Sequence, residues 1–310
     1  MSALICGSFA YDTIMVFHDS FKNHILPDKV HILNVCFLVP DMRREFGGCA
    51  GNIAYNLKLL GGDPQPMGTV GSDFAPYAQW MDRHGISRKH VTEVQDSYTA
   101  QAFITTDQDD NQITAFHPGA MNHAHVNHIA DAGDIKIGMV SPDGRDGMLQ
   151  HATQFAEAGI PFIFDPGQGL PMFNGEELMD FIDKATWVSV NDYEAQLIQE
   201  RTGKSPHELA EHVEALIVTL GGEGSHIYTR QHRYEIPVAA TQKINDPTGC
   251  GDAYRAGLLY GMMNGMDWET TGRIAALMGA IKIEQHGTQN HKFTEDEFAQ
   301  RFMQSFGYRF

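Results

Sequence analysis

From about residue 130 onward, short apolar runs rich in β-branched and aromatic residues alternate with segments of helical periodicity. This alternation is typical of a mostly parallel sheet with helices on both faces. The predicted strands are 135–141, 162–165, 187–190 and 215–220, and the predicted helices between them are 147–158, 176–182 and 193–202. We therefore expect an α/β, doubly wound fold.

The N-terminal half adds a predicted strand at 3–9 and predicted helices at 52–60 and 75–84. Two stretches break the alternation, 14–46 and about 98–118, and the second contains strand patterns at 102–106 and 112–116 around a polar turn. We expect these strands to be antiparallel. They would form a small flap, or lid, over the carboxyl edge of the sheet, where open α/β folds bind ligands. The chain 1–310 is predicted to be one domain that carries this lid.

The charge balance excludes several classes of function. Lys and Arg number 22 against 39 Asp and Glu, a net charge of −17, and such a surface repels a nucleic-acid backbone. No apolar run approaches the ~20 residues that span a bilayer, and no secretory signal is indicated at the N-terminus. The four cysteines form no CxxC pair, which is typical of free thiols in a reducing compartment. We expect a cytoplasmic protein with no membrane or nucleic-acid partner.

The strongest chemical signal is the segment 246–257, which reads DPTGCGDAYRAG. Gly249 and Gly251 allow a tight turn that exposes backbone N–H groups, and the apolar run that follows predicts a helix beginning there. Gly249, Cys250 and Gly251 would then form an anion site, with Asp252 beside it as a base for a hydroxyl. An ordinary loop capped by Asp252 is the alternative. Cys250 is not favoured as a nucleophile, because the sequence places no base beside it.

Two separate motifs resemble one known family. Segment 249–257 resembles the C-terminal signature of the ribokinase-like (PfkB) family of sugar and nucleoside kinases. Segment 47–54, GGCAGNIA, resembles the N-terminal signature of the same family, a glycine turn into a helix whose Asn meets the substrate. The two motifs stand in the family's order, and the features between them fall where that family has them. The resemblance therefore covers nearly the whole chain and implies a ribokinase-like fold.

The resemblance also implies a substrate site. Asp12 resembles an aspartate that grips two vicinal hydroxyls of the sugar, since one carboxylate can accept from two adjacent O–H donors. From the residues alone it could equally be a turn aspartate. Gly48 and Asn52 match residues that contact the same face of the sugar. Phe103 and Phe116, in the lid segment, are candidates to stack on a purine, a contact that free ribose does not need.

A nucleotide site is implied as well. Asn191 and Glu194 resemble the NxxE motif, in which the Glu organises Mg²⁺-bound water and the Asn lies near the nucleotide phosphates. Asn191 would also serve as a helix N-cap. The glycine-rich loop after a buried strand resembles the family's nucleotide loop, on which ATP lies close to the backbone. The residues assigned to ATP in this loop are Thr219, Gly221, Gly222 and Gly224.

Two further assignments concern the end of the chain. Gln289 falls in the region where the family closes its adenine pocket, and it is assigned to ATP binding on that ground. Asp246 and Thr248 resemble residues that donate oxygens to a monovalent cation, K⁺, in some members.

The implied activity is that of an adenosine-kinase-like enzyme, which phosphorylates the 5′-hydroxyl of a purine nucleoside with ATP and Mg²⁺. A ribokinase- or fructokinase-like sugar kinase stays open, and so does a non-catalytic sensor of sugars or nucleotides that kept the fold. Retention of Asp252, Asn191 and Glu194 together speaks against the sensor, because a binding module needs no base. The expected partners are the nucleoside and ATP, and the lid is a candidate surface for a homodimer.

Four histidines, His117, His123, His125 and His128, lie within twelve residues. Imidazole is a common metal ligand, but the spacing lacks a companion carboxylate or thiolate pattern. We interpret this segment as a solvated hinge after a lid strand.

Overall fold

The computed structural model describes residues 2–25, 32–109 and 111–310. The strands are β1 (Ser2–Cys6), β2 (Ala10–Val16), β3 (Asp41–Gly47), β4 (Asp63–Val70), β5 (His90–Glu93), β6 (Ala100–Thr106), β7 (Gln112–His117), β8 (Ile137–Val140), β9 (Phe162–Phe164), β10 (Trp187–Asn191), β11 (Ala215–Thr219), β12 (Ser225–Tyr228) and β13 (Arg233–Ile236). The α-helices are α1 (Cys49–Leu59), α2 (Ala75–Arg83), α3 (Arg145–Ala158), α4 (Gly175–Lys184), α5 (Asp192–Thr202), α6 (Pro206–Leu209), α7 (Cys250–Met263), α8 (Trp268–Ile283) and α9 (Glu295–Phe306).

Within the described residues, the larger sheet has nine strands in the order β13-β12-β11-β10-β9-β8-β1-β4-β5. The strands from β11 to β5 in this order are parallel, and β12 and β13 are antiparallel. The chain passes from β1 to β4 on one side and later returns to β8 on the other side. The strand order therefore reverses between β1 and β8, and ligands of open α/β sheets bind at such a reversal.

Alternate residues of the parallel strands enter two separate apolar cores. Ile5 and Met139 pack with helices α1 and α7, whereas Leu4 and Val140 pack with α3 and α4. Because neighbouring side chains of a strand point to opposite faces, helices cover both faces of this sheet. The two cores confirm the doubly wound architecture predicted from the sequence.

The smaller sheet has the order β3-β2-β6-β7. Its strands begin earlier than expected, since β2 starts at Ala10 and already contains Asp12. The prediction that these strands are all antiparallel is wrong, because β2 and β6 are parallel. The helices and strands of the larger layer that lie between β2 and β6 in the chain bring β6 back so that it runs in the same direction as β2. Residues 26–31 of the predicted lid lie outside the described residues.

The predicted strands and helices of the alternating region are present with small shifts of their ends. Strand β4 was not predicted, since it reads DPQPMGTV, and proline is disfavoured inside a strand. Pro64 and Pro66 pair with β1, but the pairing of β4 with β5 begins only at Met67. Both prolines therefore occupy the part of β4 that has a partner on one side. Strands β5, β12 and β13 and helix α9 also went unpredicted.

The histidine-rich segment forms a 3₁₀ helix, Gly119–Val126, instead of a solvated hinge. Ala120 and Ala124 are buried, and Nδ1 of His128 lies 3.0 Å from Nε2 of Gln154 on α3. No group of three or more His, Cys, Asp or Glu in the described ranges is arranged to hold a metal ion. In the same ranges, no helix combines the length and apolarity needed to cross a bilayer.

Candidate active site

The polar residues singled out in the sequence converge at the carboxyl edge of the larger sheet. Asp165 follows β9, Asn191 ends β10 and Thr219 ends β11. Asn191 and Thr219 are direct partners in neighbouring parallel strands. Asp252 lies in the first turn of α7. The fold thus brings together residues that are widely separated in the chain.

The N-terminus of α7 presents backbone N–H groups. Gly249 is its N-cap, with a left-handed φ of 79° that an L side chain rarely adopts. The N–H groups of Gly249, Gly251 and Asp252 have no hydrogen-bond partner among the described residues. The N–H of Cys250 instead donates to the carbonyl oxygen of Pro247 at 3.1 Å. The N–H of Cys250 is thus committed to the turn, and the unpartnered N–H groups at this helix start are those of Gly249, Gly251 and Asp252; the anion site expected from Gly249, Cys250 and Gly251 stays a prediction.

The carboxyl group of Asp252 is half-buried and hydrogen-bonded. Its Oδ2 accepts from Nδ2 of Asn52 at 2.8 Å. Burial raises the pKa of Asp252 to about 6, while the Asn52 hydrogen bond and the charge of Arg255 oppose that rise. A carboxylate with a pKa near 6 is mostly ionised at pH 7 and is a stronger base than an exposed aspartate. The group is suited to accept a proton from a hydroxyl.

Asn52 is positioned by the tight start of α1. Gly48 is the N-cap of this helix with φ 86°, and a Cβ on Gly48 would lie 2.5 Å from the carbonyl oxygen of Ser8. Only glycine therefore fits at this turn. Helices α1 and α7 pack on the same face of the sheet. Their packing brings Asn52 and Asp252, one from each family-like motif, into contact.

A buried arginine that sequence reasoning missed lies beside this site. Nη2 of Arg255 donates to Oδ1 of Asp165 at 2.7 Å and lies 3.9 Å from Oε2 of Glu194. A Cβ on Gly251 would lie 2.9 Å from Nη1 of Arg255, so the guanidinium runs along the first turn of α7. Burial raises the pKa of Asp165, and Arg255 opposes the rise. The sequence feature that could have revealed this residue is a single arginine within the apolar pattern of a predicted helix.

Asn191 and Glu194 hold each other in a capping box at the start of α5. Oδ1 of Asn191 accepts from the N–H of Glu194 at 2.7 Å, and Oε2 of Glu194 accepts from the N–H of Asn191 at 2.8 Å. The N-cap expected for Asn191 is therefore present. Oε1 of Glu194 has no hydrogen-bond partner among the described residues. Burial, followed by the charge of Asp165, raises the pKa of Glu194.

The glycine loop after β11 is open on one side. A Cβ on Gly221 or Gly222 would meet no atom within 4 Å, whereas a Cβ on Gly224 would lie 2.2 Å from the carbonyl oxygen of Ile236. Gly224, with φ 95°, is required by the turn. Gly221 and Gly222 leave backbone exposed next to Thr219. This surface is the part of the predicted nucleotide loop that a ligand can approach.

Asp12 lies on β2, at the hinge end of the smaller sheet. Burial, followed by the charges of Glu45 and Asp246, raises the pKa of Asp12 to about 6. Glu45 is its direct partner on β3. A Cβ on Gly47 would lie 2.6 Å from Oδ2 of Asp12. The absence of a side chain at Gly47 therefore allows the carboxyl group of Asp12 to lie close to the backbone of β3.

The two lid phenylalanines lie on opposite faces of the smaller sheet. Ala102 is the partner of both Asp12 on β2 and Phe116 on β7, so Phe116 shares the face of Asp12. Phe103 is the partner of Thr13 and lies on the other face. Both rings are exposed, Phe116 to 53% and Phe103 to 41%. The expectation that both rings cover one purine is wrong for Phe103, because side chains alternate along a strand.

Gln289 is not at the edge that a nucleotide can reach. It is 3% exposed, and its Nε2 donates to Oδ1 of Asn52 at 3.0 Å and to the hydroxyl of Tyr77 at 2.6 Å. Its Oε1 accepts from Nε1 of Trp80 at 2.9 Å. The assignment of Gln289 to ATP binding is therefore wrong, because both Nε2 and Oε1 of this buried side chain already have protein partners.

Asp246 organises the loop before α7. Its carboxyl oxygens accept from the N–H groups of Thr248 and Gly287, both at 2.9 Å. Its carbonyl oxygen accepts from Nζ of Lys282 at 2.8 Å, and the same ammonium donates to the carbonyl oxygen of Gln285 at 3.1 Å. Lys282 is fully buried and was not singled out in the sequence. Its ammonium group lies beside the loop in which the monovalent cation site was predicted.

A carboxyl group beside an N–H-lined helix start, together with a second carboxyl group on the smaller sheet, is the arrangement that the family resemblance implied. The sequence model of the pfkB family carbohydrate kinases matches residues 14–295. The chain belongs to this family.

Similar proteins of this family are nucleoside kinases. The nucleoside kinase of Methanocaldococcus jannaschii is 32% identical over 280 residues, which cover 86% of this chain and 89% of that protein. A structure of the Burkholderia thailandensis nucleoside kinase in complex with inosine is 55% identical, covers 99% of both chains and superposes with a TM-score of 0.91. The same kinase in complex with ADP-inosine is 56% identical with a TM-score of 0.88, over 99% of this chain and 97% of that one. The ribokinase-like fold expected from the sequence is confirmed.

Proposed function

We propose that this chain transfers the γ-phosphoryl group of ATP to the 5′-hydroxyl of a purine nucleoside. The observation that carries the proposal is the placement of Asp252, a carboxyl with a pKa of about 6 held by Asn52 next to unpartnered N–H groups. Such a site can accept the hydroxyl proton while donors bind the transferred group. The similarity to a kinase solved with inosine and with ADP-inosine supports both substrate classes.

In the proposed step, the 5′-oxygen bonds to the γ-phosphorus as the bond from that phosphorus to the leaving oxygen of ADP breaks. The hydroxyl proton passes to the carboxylate of Asp252, which later releases it to solvent. The N–H groups of Gly249, Gly251 and Asp252 donate to phosphoryl oxygens, and the positive end of α7 favours their charge. Arg255, beside Gly251, adds a fixed positive charge.

Glu194 fits a role in holding Mg²⁺ through water. Its Oε1 has no partner among the described residues, and carboxylate oxygens are the ligands that Mg²⁺ prefers. The bound ion would neutralise charge on the nucleotide phosphates. Asp246 and Thr248 stay candidates for a K⁺ site, with the carboxyl and carbonyl oxygens of Asp246 each already accepting one hydrogen bond from an N–H group or from Lys282.

The acceptor side supports a nucleoside over a free sugar. Asp12 offers a carboxylate to a pair of ribose hydroxyls, and Phe116 presents a ring on the same face of the lid. A purine stacked on that ring would gain on the order of 1–3 kcal/mol. We keep adenosine as the first acceptor to test, with inosine and guanosine beside it.

The smaller sheet is proposed to act as a lid that closes over the acceptor, since water must be kept from the γ-phosphoryl group. Closure would bring Asp12 and Phe116 over the bound nucleoside. Hydrogen exchange should then show Ala10–Val16, Asp41–Gly47 and Gln112–His117 becoming protected when nucleoside is added. Equal protection with and without nucleoside would mean that the site is rigid and preformed.

The lid edge is the surface through which we propose that two copies pair. Strand β7 reads QITAFH, carries no carboxylate or ammonium group and is exposed along its whole length. Natural proteins cover or charge such edges, because they recruit other strands. Sedimentation should show a dimer for the wild type and a monomer for Ile113→Lys. A monomeric wild type at micromolar concentration would rule out this interface.

An acceptor screen tests the function. Purified enzyme with MgATP is offered adenosine, inosine, guanosine, ribose or fructose, and ADP release is compared with the mass of the phosphorylated product. We expect a nucleoside 5′-monophosphate at the highest kcat/KM. Phosphorylation of ribose or fructose at lower concentration than any nucleoside would replace the nucleoside proposal with a sugar kinase.

A further inference from the structure

Three side chains form a continuous hydrogen-bonded chain that ends on the carboxyl group of Asp252. Nε1 of Trp80 donates to Oε1 of Gln289 at 2.9 Å, and Nε2 of Gln289 donates to Oδ1 of Asn52 at 3.0 Å. Nδ2 of Asn52 then donates to Oδ2 of Asp252 at 2.8 Å. Gln289 and Asn52 are both buried. The chain links helix α2, the loop after α8 and helix α1 to the first turn of α7.

The donors and acceptors of this chain allow one orientation of each amide. An indole N–H can only donate, so the group of Gln289 that faces Trp80 must be its oxygen. Its NH₂ group therefore faces Asn52 and the hydroxyl of Tyr77, and that hydroxyl donates its own hydrogen to the carbonyl oxygen of Gly47 at 2.9 Å. Both hydrogens of Gln289 are used, and the oxygen of Asn52 must face Gln289.

The orientation of the Asn52 amide determines which of its two ends lies next to Oδ2 of Asp252. With its oxygen held by Gln289, Asn52 presents an NH₂ group to Oδ2 of Asp252. The reversed amide would place two oxygens 2.8 Å apart next to a half-buried carboxylate, which is a repulsive contact. Oδ2 is therefore occupied by a donor, and Oδ1 is the oxygen left for another donor.

We propose that Gln289 is a positioning residue for phosphoryl transfer, which acts through Asn52 to leave Oδ1 of Asp252 for the acceptor hydroxyl. The proposal rests on the role of Asp252 in the proposed function. Gln289 touches neither substrate nor the reacting atoms. Gln289 selects the orientation of the Asn52 amide, and that orientation keeps Asp252 ionised and leaves its Oδ1 for the acceptor hydroxyl.

The proposal predicts a change in proton affinity as well as in rate. The hydrogen bond from Asn52 is the largest effect that lowers the pKa of Asp252 against burial. Its loss should move that pKa upward from about 6. The charged or titratable groups that face Asp252 from the neighbouring elements are Arg255, Asp165, Cys49, Cys250, Tyr77 and Lys282. Substitution at Gln289 also removes the hydrogen bond that the hydroxyl of Tyr77 accepts from it, and it removes no hydrogen bond of the other five groups.

Two variants separate orientation from packing. Gln289→Glu keeps the size of the side chain but removes the donor to Asn52, so the Asn52 amide should reverse. Gln289→Leu removes both hydrogen-bonding ends. For Gln289→Glu we expect kcat at pH 7 to fall by about 10- to 100-fold and the acid limb of the kcat profile to move up by about one pH unit. Gln289→Leu leaves the orientation of Asn52 to Asp252 alone, so it should move the acid limb less than Gln289→Glu does. The KM for ATP should change less than twofold.

The matched control is Thr288→Val. Oγ1 of Thr288 donates to the carbonyl oxygen of Phe46 at 2.6 Å and does not contact Asn52. This variant loosens the same loop, so it should lower the Tm without moving the acid limb. An equal shift of the acid limb in Thr288→Val would make Gln289 a purely structural residue and overturn the proposal.

A double-mutant cycle tests the route through Asn52. If Gln289 acts only through Asn52, Gln289→Glu should reduce kcat by less than twofold in the Asn52→Ala background. A full 10- to 100-fold loss in that background would overturn the proposal.

The carboxyl titration of Asp252 can be followed without turnover, by NMR of protein labelled with ¹³C at the aspartate carboxyls and assigned with Asp252→Asn. An upward shift in Gln289→Glu that exceeds the shift in Gln289→Leu supports the positioning role, and an unchanged titration in Gln289→Glu contradicts it. If the wild type phosphorylates no nucleoside, the proposed function fails while this measurement still decides the role of Gln289.

Discussion

Nδ2 of Asn52 lies 2.8 Å from Oδ2 of Asp252, although 200 residues separate the two in the chain. The contact joins the first turns of α1 and α7, two helices that each begin at a glycine with positive φ. It also opposes the effect of burial on the pKa of Asp252. As a result of this balance, the pKa of Asp252 is about 6, and its carboxyl group is still mostly ionised at pH 7.

Replacement of Asp252 by Asn should remove the proton acceptor while leaving the N–H groups of α7 in place. We expect kcat to fall by about 10²–10⁴-fold with ATP binding retained. Steady-state kinetics together with calorimetric titration of ATP measure the two effects separately. Near wild-type turnover in this variant would remove Asp252 from the chemistry.

The same substitution should stabilise the fold in a pH-dependent way. The pKa of Asp252 rises from 3.8 to about 6 on folding, so the folded state binds more protons in this window and loses stability as pH rises through it. The full effect is about 3 kcal/mol at most. Asp252→Asn should therefore raise the Tm at pH 8 but not at pH 4. Asp134→Asn, at an exposed position, is the control, and an equal Tm difference at both pH values would contradict the prediction.

Glu194→Gln should weaken the use of Mg²⁺ and leave acceptor binding nearly unchanged. The rate measured against Mg²⁺ concentration should reach half its maximum at a higher concentration than in the wild type. Glu297→Gln is a matched control, because Glu297 forms the same kind of capping box with Thr294 at the start of α9. A selective rise in the KM for nucleoside would place Glu194 on the acceptor side instead.

The two lid phenylalanines make a matched pair for substrate preference. Phe116→Ala should reduce the ratio of kcat/KM for adenosine to that for ribose by about ten- to hundredfold, because it removes the ring on the face of Asp12. Phe103→Ala removes an equal ring from the opposite face and should leave the ratio unchanged. Equal effects of both variants would show that neither ring acts by stacking on the base.

Local patterns in the sequence were sufficient to predict most strands of the larger sheet and the start of α7. The glycines at 249 and 251, followed by an apolar run, mark a helix start whose geometry depends on neighbouring residues alone. The same holds for the capping box of Asn191 and Glu194, which are three residues apart. Strand β4 was not predicted because proline is disfavoured in a strand. Its two prolines are tolerated because they lie before Met67, where the pairing with β5 begins.

The sequence by itself determined the doubly wound fold and the family and singled out Asp252 as the candidate base, because hydrophobic periodicity and short glycine motifs act over a few residues. Only the tertiary structure decided which partners surround that base. Strand register put Phe116 and Phe103 on opposite faces, and helix packing put Arg255 beside Asp165 and Gln289 beneath Asn52. These contacts join residues far apart in the chain, and a hydrogen bond depends on distance and direction in space, which no local pattern specifies.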